Sequence, residues 1–263
     1  MTEEATASAV CPICEGRGWI VEPDGKAGTA RPCECQKRGA GELRLTAAGI
    51  PPRYQACRFT NFRTSMGGGR ASLLEALSGS QRYVDEFLRP DGRFCETGLL
   101  YIGPPGVGKT HLAAAVLAEV IQRYGVRGRF VDFTSLIFQI QSTFDPGSPE
   151  SKHDVLDPVV GAELLVLDEL GAQKPTAWVT DTLYYILNAR YTRRLPTLFT
   201  TNYRLEGAPQ AVSLDRGADS TSAPEMLSAR IPAMLISRLY EMARPLRIDS
   251  SDYRKMIAGQ QLR

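Results

Sequence analysis

The chain has 263 residues, of which 43% are hydrophobic and 23% charged, and a formal net charge of +2. That length allows one large domain or a core domain with a small appendage, and the near balance of charge excludes a chain-wide basic surface, so any nucleic-acid contact has to be a local patch. No stretch has the pattern of a secretory signal or stays apolar long enough to cross a bilayer, and six cysteines are too few for a disulfide scaffold of this size; the expected setting is cytoplasmic, without membrane, with free or metal-bound thiols.

In chain order, residues 11–35 come first, with Cys11, Cys14, Cys33 and Cys35 among Gly, Pro and charged residues and too few apolar side chains for a core. Two close cysteine pairs separated by 18 residues suit a tetrahedral zinc ion, each pair gripping it from one turn. A redox pair would need its C-x-x-C at the start of a helix after a strand, and Pro12 with the Gly16 and Gly18 turn argues against that. A cysteine-bearing tail without metal is the other alternative. The chain has two histidines, His111 and His153, neither suited to complete the set. Four thiolates close the site, so its zinc would be structural. Cys57 and Cys95 fall outside the pattern and read as ordinary buried or semi-buried thiols. "GIPPRY" from Gly49 is a turn, which divides the chain into a zinc-binding module over residues 1–48 and a larger domain over 49–263.

From Thr97 onward, short apolar runs alternate with amphipathic patterns. "GLLYIG", "RFVDF", "ELLVLDEL" and "PTLFTTN" are predicted strands. Helices are predicted after Lys109, through Leu136, Ile137 and Ile140, and over "TDTLYYILNARYTRR". The alternation implies an α/β fold with a parallel sheet and helices on both faces. Residues 205–224, rich in Gly, Ala, Ser, Asp and Pro, read as an exposed loop. Arg190, Arg193 and Arg194 form a basic helix end that could meet phosphate, although such an end is commonly just a solvated face.

"GPPGVGKT", comprising Gly103, Pro104, Pro105, Gly106, Val107, Gly108, Lys109 and Thr110 and followed by His111, fits G-x-x-x-x-G-K-[ST] between a predicted strand and a predicted helix. Its glycines let backbone N–H groups converge on phosphate oxygens at a helix N-terminus. Lys109 is expected to reach the β and γ phosphates of ATP, and Thr110 to ligate Mg²⁺. Asp168 and Glu169 close a buried strand, where ligand crevices of such sheets lie. Asp168 would hold Mg²⁺, and Glu169 would polarise an attacking water. Asn202, ending the next strand, could orient water or touch the γ phosphate, although Asn at a strand end is commonly just a turn former. Arg238, on a predicted helix, is a group able to stabilise charge on a transferring phosphoryl.

Taken in order, "GPPGVGKTHLA", "LLVLDELG", "ILNARYTRRLPTLFTTN", "SRL" and "DYR" resemble the AAA+ ATPases of the DnaC/DnaI helicase-loader and IstB transposition-helper group, over residues 50–263. The resemblance implies a Walker A loop at residues 103–110, a Walker B pair at Asp168 and Glu169, and a sensor 1 at Asn202. It also implies an arginine finger at Arg238 acting on the ATP of the next subunit in a homo-oligomer. For loaders it implies a replicative DnaB-type helicase and single-stranded DNA as partners; for IstB-like helpers, duplex DNA and a transposase. The cysteine module resembles the helicase-docking piece of the loader branch, which favours that branch. Two departures stand out: the chain continues for only 25 residues past Arg238, short of a full helical lid, and the stretch before Arg238 is long for the group. Arg230 is therefore a reserve for the finger, and Arg254 of "DYR" a candidate sensor 2. Rival readings are a small-molecule P-loop kinase, which the Asp-Glu pair fits poorly, and a nucleotide-dependent binding protein with negligible turnover.

Overall fold

The computed structural model describes residues 19–22, 29–32, 34–65, 69–145, 147, 149–205 and 226–261, with side chains described only between residues 41 and 257. Cys11, Cys14 and Cys33 lie outside the described residues, and Cys35 enters only through its backbone, so the expected zinc site is outside them too. All but Leu205 of the expected loop at 205–224 is likewise outside. The first elements are strands β1 (Trp19–Glu22) and β2 (Thr29–Pro32), paired antiparallel, then helix α1 (Glu34–Ala47). Helix α1 runs up to the 48/49 division and packs against the following domain; Ala48 is fully buried and its carbonyl accepts a 2.7 Å bond from Phe130 N–H.

The four predicted strands form as β3 (Gly98–Ile102), β4 (Gly128–Asp132), β5 (Leu164–Asp168) and β6 (Thr197–Thr201). A fifth, β7 (Ala243–Arg247), is not among the predicted strands. It alternates poorly and contains Pro245, which an edge strand tolerates because its outer N–H groups need no partner. The sheet is parallel, in the order β4-β5-β6-β3-β7. Strands β3, β5 and β6 are buried on both faces; β3 and β5 are accordingly near-continuous apolar runs, while β6 buries three threonines.

Successive side chains of each strand point to opposite faces, so the sheet divides the core in two. Leu99, Tyr101, Val166 and Leu198 face the layer formed by α1, α2 (Arg70–Asp85) and α3 (Lys109–Tyr124). Leu100, Ile102, Leu167 and Phe199 face α4 (Phe133–Ser142), α5 (Lys152–Val160), α6 (Ala177–Thr192) and α7 (Ala233–Met242). Helix α2 lies on β7 through Gly79, where an added Cβ would come within 3.0 Å of Leu246. Among the described residues no helix is long and apolar enough to cross a membrane.

Arg190 is removed from the basic cluster at the end of α6, while Arg193 and Arg194 stay exposed. Arg190 is fully buried, donating from Nε to Thr197 Oγ1 at 2.8 Å, from Nη1 to the carbonyls of Val159 at 3.1 Å and Ala162 at 2.8 Å, and from Nη2 to Pro196 O at 2.7 Å. It satisfies carbonyls left open at the end of α5, so its charge serves the fold. Arg194 pairs with Glu96 at 3.5 Å.

Candidate functional site

Residues 103–108 link β3 to α3 across the end of the sheet. Gly106 and Gly108 take φ of 81° and 96°, a left-handed region open to glycine at little cost. Gly108 is the N-cap of α3, a helix of 16 residues, so the loop delivers the positive end of a helix to the sheet's carboxyl edge.

Lys109 folds back into this loop. Its Nζ donates to Gly103 O at 2.8 Å, Pro104 O at 2.8 Å and Asn202 Oδ1 at 2.6 Å, using all three ammonium hydrogens. Burial pulls its pKa down to about 8, against the opposing pull of Asp168 and Glu169. Asp168, at the end of β5, accepts on one oxygen from Thr110 Oγ1 at 3.0 Å and Thr200 Oγ1 at 2.6 Å. Burial raises its pKa to about 6, the two hydroxyl donors opposing the rise. Glu169 stands in the left-handed region at φ 59°, a conformation costly for a residue with a side chain, and its N–H donates to Thr200 Oγ1 at 3.0 Å. Lys109, Thr110, Asp168, Glu169 and Asn202, far apart in sequence, thus meet at one end of the sheet.

Thr200 bridges the two acidic positions and was missing from the sequence reading. Its role exists only because β5 and β6 are neighbours, a pairing that strand propensity does not reveal. Asp252 was also missed. The chain from Ile248 crosses the mouth of the loop: Ile248 N–H donates to Ile102 O at 2.8 Å, Tyr253 N–H donates to Gly106 O at 3.2 Å, and a Cβ on Gly106 would fall 1.8 Å from Asp252 Oδ1. Arg254, the second residue of helix α8 (Tyr253–Gln261), is paired with Asp252 at 3.3 Å rather than with the loop.

Beside the loop, a cleft of about 420 Å³ opens between Phe62, Gly108, His111, Tyr253 and Met256. His111 lies in its wall, its Nε2 3.0 Å from Arg58 O and its ring 5.4 Å from that of Phe62. Burial lowers the His111 pKa, which favours the neutral imidazole.

Arg238 is not part of this cluster. It lies on α7 against α6, its guanidinium 4.8 Å from the Tyr184 ring centroid and 5.8 Å from that of Tyr191. Arg230 is engaged within its own chain, donating to Gly171 O at 3.1 Å and Tyr203 OH at 2.7 Å.

The donor set fits a nucleotide with its metal. The glycine loop, the helix N-terminus and a primary amine suit phosphate, while a hydroxyl and a carboxylate 3.0 Å apart are the oxygen ligands that Mg²⁺ prefers. The order of the sheet, with this loop after β3, defines a nucleotide-binding domain of the AAA+ P-loop type. The family model described as "IstB-like ATP binding protein" matches residues 85–219, and the chain belongs to that family. The replicative helicase loader DnaC of Escherichia coli strain K12 is 31% identical over 159 residues, which make up 60% of this chain and 60% of that protein. A solved structure of the DnaC helicase loader, also 31% identical, superimposes with a TM-score of 0.59 over 75% of this chain and 99% of that one. A structure of DnaI, 24% identical, shares the fold with a TM-score of 0.57 over 76% of this chain and 95% of that one. The chain is thus a DnaC-like member of the AAA+ group, matching about 60% of the length of the first curated relatives.

Proposed function

We propose that the protein is an ATP-dependent loader of a replicative DNA helicase, which hydrolyses ATP between subunits and contacts single-stranded DNA. The observation that carries the reading is the convergence of Lys109, Thr110, Asp168, Glu169 and Asn202 in a chain similar to a helicase loader. In this reading residues 103–111 hold the nucleotide. Lys109 exchanges the Gly103 and Pro104 carbonyls for phosphate oxygens while Asn202 stays beside it. Thr110 and Asp168 hold Mg²⁺, which neutralises phosphate charge when bound. Glu169 orients and deprotonates the attacking water, and Arg238 stabilises the transferring phosphoryl of a neighbouring copy.

The division at residue 48 belongs to the same proposal. Residues 1–48 would form a docking module closed by one zinc on Cys11, Cys14, Cys33 and Cys35, and residues 49–263 the ATPase that assembles on DNA in the cytoplasm. A transposase partner, as in IstB-type helpers, predicts the same chemistry with a different client.

Two measurements test this. Glu169→Gln should lower phosphate release by about a hundredfold or more while ATP still binds. The full chain should also transfer its cognate replicative helicase onto circular single-stranded DNA in an ATP-dependent manner. Formation of a phosphorylated small molecule, or ATP-dependent capture of a transposase in place of the helicase, would overturn the assignment.

A further inference from the structure

Among the described residues, Arg238 is a cation without a carboxylate. Glu241 stands three residues further along α7, a spacing at which helices form ion pairs. The pair is not made. Glu241 Oε2 instead accepts a 2.6 Å bond from the Tyr191 hydroxyl, and the guanidinium of Arg238 turns to the faces of Tyr184 and Tyr191. Its Nη2 has a long 3.5 Å contact with Tyr184 OH, and its Nη1 is shielded from solvent with no acceptor among the described residues. Among the described residues the ion pairs of arginine are made by others: Arg93, Arg123, Arg127, Arg194 and Arg254.

Tyr184 and Tyr191 are seven residues apart on α6, two turns along one face, so they form a collar for a side chain arriving from α7. An aromatic face attracts a guanidinium and restricts its direction without cancelling its charge. A carboxylate would fix it equally well and neutralise it.

We propose that Tyr184 and Tyr191 are positioning residues for Arg238. The two rings orient the guanidinium, and the Tyr191 hydroxyl holds Glu241 away from it, so that its full charge is presented to the terminal phosphate of a nucleotide bound by a second copy of the chain. The inference rests on the reading that Arg238 acts on a neighbour's nucleotide.

The test separates the copy that gives the arginine from the copy that hydrolyses. Donor chains carry Glu169→Gln with Arg238 intact; acceptor chains carry Arg238→Ala with Glu169 intact. Phosphate release from Mg·ATP is measured for each alone and for the mixture, with a single-stranded oligonucleotide present. Mixed parents should exceed the sum of the separate preparations. Donors that also carry Tyr191→Phe should lower kcat about threefold at unchanged KM, because the freed Glu241 captures Arg238. Adding Glu241→Gln to those donors should restore the rate, which no general loosening of the helix pair would do. Tyr184→Leu donors should lose activity without rescue by Glu241→Gln. Tyr191→Phe donors as active as their parent, or a loss that persists with Glu241→Gln, would overturn the positioning role alone. No gain on mixing the parents would overturn the action of Arg238 on a neighbour, and the collar with it.

Discussion

Lys109 and Asp168 are each held where burial disfavours the charge they need. For Lys109, with a pKa near 8, the ammonium that phosphate requires is lost as pH rises through that value. ATP affinity should therefore be nearly flat from pH 6.5 to 7.5 and fall by about tenfold per unit well above pH 8, read by titration of a fluorescent nucleotide. Asp168 gives the opposite limb: Mg²⁺-dependent binding should weaken as pH falls through about 6. The same shift sets a stability prediction. A carboxyl whose folded pKa lies above its unfolded value favours folding most below the unfolded value and loses that contribution as pH rises through the folded one. Asp168→Asn removes the burdened charge, so it should stabilise the protein by roughly 1 to 3 kcal/mol at pH 7.5 and by little near pH 4, in urea melts at both values. Lys109, Thr110 and Asp168 were legible in the sequence because each belongs to a short run with a defined chemistry. Thr200 was not, since its bonds depend on which strand lies beside β5.

At the level of elements, two contacts hold pieces that the sequence showed only faintly. Arg190 joins the end of α5 to β6, and replacing it by Met leaves several buried carbonyls unsatisfied. A loss of about 3 to 5 kcal/mol is expected, with Arg190→Lys recovering little because one ammonium cannot span that fork of acceptors. The segment after β7 is held at Gly69, where φ is 80° and a Cβ would lie 1.5 Å from Asp249 O. Gly69→Ala should therefore displace the segment and weaken nucleotide binding. Gly41→Ala in α1, where no described atom lies within 4 Å of the added Cβ, should leave binding unchanged and add about 0.5 to 1 kcal/mol of stability. Fluorescent-nucleotide titration and urea melts on both variants check the pair. Helix α2 and strand β7 escaped the sequence reading for different reasons. Helix α2 interrupts its buried face with Gly79 and Ser80, and β7 pairs two exposed arginines with a proline.

Across the whole molecule, the alternation of strands and helices made the class legible, while the sheet order arises from packing that no single segment encodes. The order matters because it carries Asn202, at the end of β6, between Asp168 and the phosphate loop. The site needs a second copy under the proposed mechanism, so phosphate release per chain should rise with protein concentration before levelling off, and the rise should track the oligomer measured by light scattering. The proposed zinc module makes its own prediction: elemental analysis of the full chain should find about one zinc per chain, and Cys11→Ser or Cys33→Ser should abolish it. Retention of zinc by both variants would remove the four-cysteine site from the proposal.

The segment that follows β7 also has a consequence for how the protein is made. The phosphate loop is synthesised first, yet its neighbour strand begins at residue 243 and the residue beside Gly106 is Asp252. A chain emerging from the ribosome completes the loop motif at residue 110, whereas the strand and the crossing that enclose it follow only at residues 243 and 252. Competence for nucleotide therefore waits on residues made long after the loop, and a premature stop before Ala243 would yield a protein with the signature of an ATPase and an unfinished place to put ATP.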